Sequence, residues 1–481
     1  LLGIVLTHGH EDHIGAIPYL AADLGVPLYA TPFTAGLIRG KLDEEGISDR
    51  VKLHVIGNGG SFRLGPFGFT YVPLAHSIPE GNALLIETPY GRIFHTGDWK
   101  IDEQPLLGTP STATELEAIG DEGVLALVCD STNVFNEKAS GSEADVRVGL
   151  NGVIAGAKGR VLVTTFASNA ARVQTLGEVA RDTGRQLCVA GRSLDRIIKT
   201  AKAVGYLKDF PETIDFEAAM ALPPRDVMIV ATGGQGEPRA ALARVAFGNH
   251  PIKLSEGDLV VFSSKQIPGN EVAIGRIQNA LAERGIAMVT ERQAHVHVSG
   301  HPGRPELEQM YRWIRPEMLV PVHGEMRHMA EQARLGAARG IARQIVQQNG
   351  TVLRLAPDGP AVVGHERAGR LILDGDVILP ADGATMAERR KLGLHGLIGV
   401  AVALDAGGRL RGDPAVTVQG LPVEEDRENF LSEARAAAAD AAVTNARGDA
   451  ARREAIRLAV RRRATQWTGK KPVVEVSIIR V

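Results

Sequence analysis

Three histidines and an aspartate fall within six positions near the start of the chain, in Thr7-His8-Gly9-His10-Glu11-Asp12-His13. His8 and His10 lie two apart in a loop after the apolar run Ile4-Val5-Leu6, so both imidazoles can face one ion. Asp12 and His13 are adjacent at the expected N-terminus of a helix over Ile14 to Leu20. Neighbouring side chains on a helix point about 100° apart, so this pair can aim at a second ion beside the first. Imidazole and carboxylate are donors that suit zinc or a similar divalent cation. The competing reading is a polar surface loop with Asp12 as a helix cap, but four such donors in so short a run rarely arise that way. Two adjacent cations lower the pKa of a shared water and neutralise charge on a phosphoryl oxygen, so the chemistry expected is hydrolysis.

Two further positions offer donors of the same types. His76 follows the strand-like Thr70 to Leu74, and Asp98 sits in His95-Thr96-Gly97-Asp98-Trp99 after the hairpin turn Pro89-Tyr90-Gly91. Alone, such a histidine is a satisfied loop residue, a reading the preceding motif reverses for His76, and such an aspartate is normally a cap. His95 reads as structural.

The run from Thr7 to Gly15 resembles the signature of the metallo-β-lactamase fold, shared by lactamases, glyoxalases, flavoproteins and nucleases. Asp130-Ser131-Thr132-Asn133, His297-Val298-Ser299-Gly300-His301 and Pro321-Val322-His323-Gly324-Glu325 are similar to the three extra motifs of the β-CASP nucleases. Thr165 to Asn169, Thr232 to Pro238, Ile267 to Glu271 and the C-terminal Gly469 to Val476 resemble the ribonuclease J group of that family. His323 marks the RNA-directed branch.

The resemblance implies four stacked layers, with helices outside two sheets. It implies two divalent cations, zinc with Mn2+ or Mg2+ as substitutes: one on His8, His10 and His76, the other on Asp12, His13 and His323, with Asp98 bridging. The expected reaction is in-line attack of an activated hydroxide on RNA phosphorus. Asp98, His301 and Asp130 are the catalytic set: His301 stabilises phosphate charge or protonates the leaving oxygen, and Asp130 holds it cationic. Ser168, Asn169 and Ser299, together with His301, are expected to contact substrate. The implied activity is 5′-3′ exonuclease with internal cutting, in the decay and maturation of mRNA and rRNA. The implied partner is single-stranded, 5′-monophosphorylated RNA, the chain a homodimer or homotetramer, and the setting cytoplasmic. The competing readings are a small-molecule metallo-hydrolase of the lactamase or glyoxalase type, which lacks His301 and His323, and a catalytically silent subunit of an RNA degradation complex.

The elements that must carry these residues follow one pattern. Short apolar strands end in small and polar residues, with helical stretches such as Val173 to Thr183 and Gly275 to Arg284 between them, which reads as α/β. Chemistry in such folds collects at strand carboxyl ends. Residues 1–138 and 291–365 are expected to form a four-layer αββα metallo-β-lactamase domain, with a β-CASP α/β domain inserted at 139–290. Residues 366–481 read as a linker and a small α+β C-terminal domain, helical over 427–465. The motif at residue 8 leaves little chain for the first sheet, so N-terminal strands and an aspartate of the family pattern are expected before residue 1.

Composition sets the outer limits. Of 481 residues, 44% are hydrophobic and the net charge is −2, so a nucleic-acid site must rest on local fields rather than global charge. The arginines at 452, 453, 457 and 461–463 read as a solvated helix face. No apolar run is long enough to span a membrane, and no basic segment marks a signal peptide. Cys129 and Cys188, each in an apolar run, read as reduced core residues.

Overall fold

The computed structural model describes residues 1–443 and 448–481. It divides into two units, Leu1–His365 and Glu366–Val481.

The larger unit contains three main sheets and a two-stranded antiparallel one, Thr351–Arg354 with Ala361–His365. One is small and parallel, with strands Ile4–Val5, Leu28–Ala30 and Leu53–Val55. Facing it is a seven-stranded sheet. Its first four strands, Ser61–Leu64, Phe67–Pro73, Asn82–Thr88 and Gly91–His95, form an antiparallel meander. Ala126–Asp130, Met318–Val322 and Arg343–Gln344 then continue it in parallel. Tyr71 couples the sheets: its hydroxyl lies 3.0 Å from the carbonyls of both Leu6 and Tyr29. Phe62 stacks on Tyr29 across the same gap, with centroids 4.7 Å apart.

Helices cover the outer faces. Leu116, Leu307, Met310, Tyr311, Ile314 and Leu335 pack against Val72, Leu85, Phe94, Leu127 and Leu319 of the large sheet. Phe33, Leu37 and Ile38 of the helix Pro32–Glu44 pack on the small one. This is the αββα stack expected.

Between Ala126–Asp130 and Met318–Val322 the chain leaves to build the third sheet, six-stranded and wholly parallel. Its strands run from Val161–Thr164 to Ala287–Val289. The inner strands Val161–Thr164 and Val227–Ala231 are buried at every position, as both-face coverage of a parallel sheet requires. The chain then returns, and Val322 pairs with Asp130 in the original sheet. That pairing brings residues nearly two hundred positions apart to one sheet end.

Two helices start earlier than expected, at Ala170–Asp182 and Glu271–Ala282. The first metal motif also departs from expectation. In place of a helix over Ile14 to Leu20, a single turn spans Glu11–Ile14 and a second helix spans Ile17–Leu24. Gly15 N–H closes the first turn on Glu11 O at 2.7 Å, and Pro18 starts the second. The segment around His297 is irregular.

The smaller unit has its own core, built on a three-stranded sheet, the helix Arg427–Ala442 and the helix Asp449–Thr468. Its central strand Leu397–Leu404 alternates inward and outward along its length. Residues 444–447, inside the stretch expected to be helical, lie outside the described residues. Among the described residues, no helix is long and apolar enough to cross a membrane. Cys129 and Cys188 are buried free thiols.

Candidate metal centre

Five chain segments converge where strands of the two facing sheets end. The loop after Ile4–Val5 brings His8 to His13, and the turn after Phe67–Pro73 brings His76. The turn after Gly91–His95 brings Asp98, while Asp130 and His323 end or follow the paired strands Ala126–Asp130 and Met318–Val322.

Asp98 is aimed by its own turn. Gly97 adopts φ 58°, and a Cβ there would sit 2.8 Å from Asn82 O, so the turn requires glycine. Gly97 N–H donates to His95 Nδ1 at 3.0 Å, which gives His95 the structural role expected.

Around Asp98 the donor atoms form two nests. His8, His10, His76 and Asp98 each offer one atom within 4.8 Å of the others, and so do Asp12, His13, His323 and Asp98. In the first, His8 Nε2 lies 3.2 Å and His76 Nε2 3.0 Å from His10 Nδ1. Asp98 Oδ2 is 3.7 Å from His8 Nε2 and 4.0 Å from His76 Nε2. In the second, the same oxygen is 3.2 Å from His13 Nε2 and 3.4 Å from His323 Nε2. Asp12 Oδ2 completes it, 3.3 Å from His323 Nε2.

Three ring nitrogens that point at one another and at a carboxylate have no reason to converge unless something electron-poor sits among them. Their protonation agrees. Burial, then mutual crowding, holds His8 well below its ordinary pKa, His76 likewise, and burial takes His10 down to about 4. These rings are therefore neutral, with lone pairs to share. Asp98 stays below the usual carboxylate range despite burial, because His13 bonds to it and further imidazoles surround it. The donor set fits a divalent cation.

The outward nitrogens are also engaged, and the carbonyl partner of His76 fixes its tautomer. His8 Nδ1 meets Thr7 Oγ1 at 3.1 Å, His76 Nδ1 donates to Gly300 O at 2.6 Å, and His10 Nε2 is 3.4 Å from Ser77 Oγ. Glu11 points away, paired with Lys41 at 2.7 Å.

A third cluster joins Asp98, Asp130, His301 and His323. Here His301 Nδ1 and Asp130 Oδ2 bond directly at 2.7 Å, which makes a histidine–carboxylate pair rather than an ion nest. Burial lowers the His301 pKa, but the charge and hydrogen bond of Asp130 outweigh it and the net shift is upward. Asp130 itself is fully buried.

The residues expected to contact substrate fare unequally. Ser299 stands beside the centre: its Oγ accepts from Asn133 Nδ2 at 2.8 Å and His301 N–H at 3.1 Å, so its own proton is left to donate elsewhere. Asn169 is used differently. It caps the helix Ala170–Asp182, accepting from Arg172 N–H at 2.8 Å, and is buried against Glu143. Helix capping thus claims its amide oxygen. Ser168 precedes it and makes no side-chain hydrogen bond among the described residues.

His297, the first residue of its motif, has an unpartnered nitrogen: its Nδ1 is buried without a partner among the described residues. Burial, then the charges of Arg172, Lys265 and Lys100, push its pKa down to about 3. Of these cations, Arg172 is paired with Glu143 and Lys100 with Asp102, each at 3.0 Å. No sequence periodicity could signal this, since the segment is irregular. The glycine-rich run Gly233 to Gly236 is a tight turn, with Gly236 N–H on Gly233 O at 3.1 Å.

Comparison with known proteins agrees with this architecture. Residues 1–109 match a beta-lactamase superfamily domain, and residues 158–281 match the ribonuclease J beta-CASP domain. Residues 285–345 match a Zn-dependent metallo-hydrolase RNA specificity domain, and residues 384–481 the ribonuclease J C-terminal domain. Ribonuclease J of Sinorhizobium meliloti is 43% identical, covering 100% of this chain and 86% of that protein. Ribonuclease J of Corynebacterium glutamicum is 40% identical over 89% of this chain and 60% of that one. Ribonuclease J 1 of Streptococcus pyogenes is 37% identical over 84% and 72%. A crystal structure of a protein of unknown function from Enterococcus faecalis shares the fold, with TM-score 0.51 at 19% identity over 72% of this chain and 79% of that one. With a relative 43% identical along its whole length, and a nest of imidazoles and carboxylates fit for divalent cations where its sheets end, the chain belongs to the ribonuclease J family of metal-dependent ribonucleases.

Proposed function

We propose that this ribonuclease uses two divalent cations, zinc or manganese, to hydrolyse single-stranded RNA from a 5′-monophosphate end, with internal cutting as a second mode. The observation that carries the reading is Asp98 Oδ2, which faces both donor nests at once. When bound, the cations supply an activated water and neutralise charge on the phosphoryl oxygens.

The chain's own residues do the rest. Asp98 bridges the nests and fixes their spacing. His301, with Nδ1 committed to Asp130, keeps Nε2 to hold a proton for the leaving oxygen. The charge and hydrogen bond of Asp130 favour that proton staying on the ring. Ser299 donates its free O–H to a phosphate oxygen. The unpartnered Nδ1 of the neutral His297 and the charge of Lys265, which has no ion pair among the described residues, are the groups left to receive a terminal phosphate.

Two RNAs of one sequence test the 5′ preference, one ending in monophosphate and one in triphosphate. Faster loss of the monophosphate substrate, reduced by Ser299→Ala, is expected. Equal rates for both would remove the terminal preference from the account.

A further inference from the structure

Thr132 has no part in the mechanism above, yet its hydroxyl touches three groups of the centre. Its Oγ lies 2.7 Å from Asp130 Oδ1, 2.9 Å from His323 Nδ1 and 2.9 Å from His323 O. A hydroxyl owns one proton. The shortest contact is to a carboxylate oxygen, where a charge-assisted bond is strongest. With the proton there, a lone pair remains for His323, and Nδ1 can meet it only as an N–H donor. Asp130 Oδ1, 3.7 Å from the same nitrogen, favours that proton position as well. Nε2 of His323 then carries the lone pair, and it is Nε2 that faces Asp12 and Asp98.

The backbone makes this hold necessary. His323 adopts φ 55°, a left-handed conformation that a non-glycine residue takes only when its surroundings impose it. It is an exposed residue on a turn; its ring stacks beside those of His13 and His301, centroids 5.6 and 5.4 Å away, which sets its plane but not which nitrogen carries the proton. Ser131, next to Thr132, donates to Val322 O at 2.7 Å and pins the approach to the turn. Thr132 N–H donates to Asp130 Oδ1 at 2.8 Å, which keeps the hydroxyl in place.

We infer that Thr132 is a positioning residue that fixes the tautomer and aim of His323 and thereby couples the second cation nest to the Asp130–His301 pair. This rests on the two-cation reading proposed above. It also makes Asp130 a shared anchor: Oδ2 serves His301 and Oδ1, through Thr132, serves His323.

The test is cation binding by the full chain, stripped with chelator and titrated calorimetrically with Mn2+, in wild type, Thr132→Val and Thr132→Ser. Valine keeps the shape and removes the hydroxyl; serine keeps the hydroxyl and removes a methyl. In Thr132→Val, one of two sites is expected to weaken by roughly 10–100-fold, the usual effect of losing such a partner, while the other keeps its affinity. Thr132→Ser should match wild type at both. Two unchanged sites in Thr132→Val would overturn the role, and so would equal losses in the valine and serine variants. A wild type that binds fewer than two ions would instead overturn the two-cation reading, and this inference with it.

Discussion

His301 and Asp130 illustrate how one residue sets the working range of another. Asp130 is fully buried and bonds His301 at 2.7 Å, and it raises the histidine's pKa against the pull of burial. A raised histidine is protonated below its new pKa and loses the proton as pH climbs through it. A reaction that needs His301 as acid should therefore fall away on the alkaline side. Asp130→Asn removes the charge that raises the pKa, so the alkaline limb of kcat/KM should move to lower pH. An unmoved limb in the pH–rate profile would show that another group sets it. His301→Ala should lower the rate by roughly 10²–10⁴-fold, the usual contribution of a general acid. At this scale the sequence was most readable where donors cluster. His8 to His13 declared themselves because so few positions hold so many ligand types. Thr132 and His297 did not, because a hydroxyl's partners and an unpartnered nitrogen depend on contacts from distant segments.

Between elements, the inserted domain has to leave and rejoin its parent without loosening the site. Glu306, in the first turn of the helix Arg304–Ile314, is placed to secure that crossing. Its buried carboxylate accepts from Ile101 N–H at 2.9 Å, Ser140 N–H at 2.8 Å, Ser140 Oγ at 2.7 Å and Gly303 N–H at 2.7 Å. Ile101 belongs to the segment just after Asp98, and Ser140 to the start of the insertion. Removing an ionised acceptor from several buried donors leaves them unsatisfied, at a cost of about 3 kcal/mol or more. Glu306→Ala should thus lower the melting temperature clearly in differential scanning calorimetry, while Glu331→Ala, on a partly exposed ion pair, should hardly change it. The strands themselves were legible from their apolar runs, and the parallel sheet from strands alternating with helices. The break at Gly15 was not, since a helical run and a one-turn start share the same apolar spacing.

Over the whole molecule, all seven ligand positions of the two nests lie in Leu1–His365. Glu366–Val481 has a core of its own, including Ile398, Val400, Phe430, Ile456 and Val460. A protease cut near residue 366 should leave both fragments folded, with the bound cations retained by the larger one; elemental analysis of the separated fragments reads this directly. Cations found in the smaller fragment would contradict the assignment. The physical basis of the insertion's long excursion is the pairing of Val322 with Asp130.

The central claim is that Asp98 joins two cation nests into one hydrolytic centre. The most direct test is hydrolysis of labelled 5′-monophosphorylated RNA by wild type and Asp98→Asn, each stripped with chelator and then supplied with increasing Mn2+ or Zn2+. Stripped wild type should be inactive and recover on addition, while Asp98→Asn should stay lower by roughly 10³-fold or more at every cation concentration. Wild-type rates from Asp98→Asn, or full activity in chelated wild type, would contradict the account.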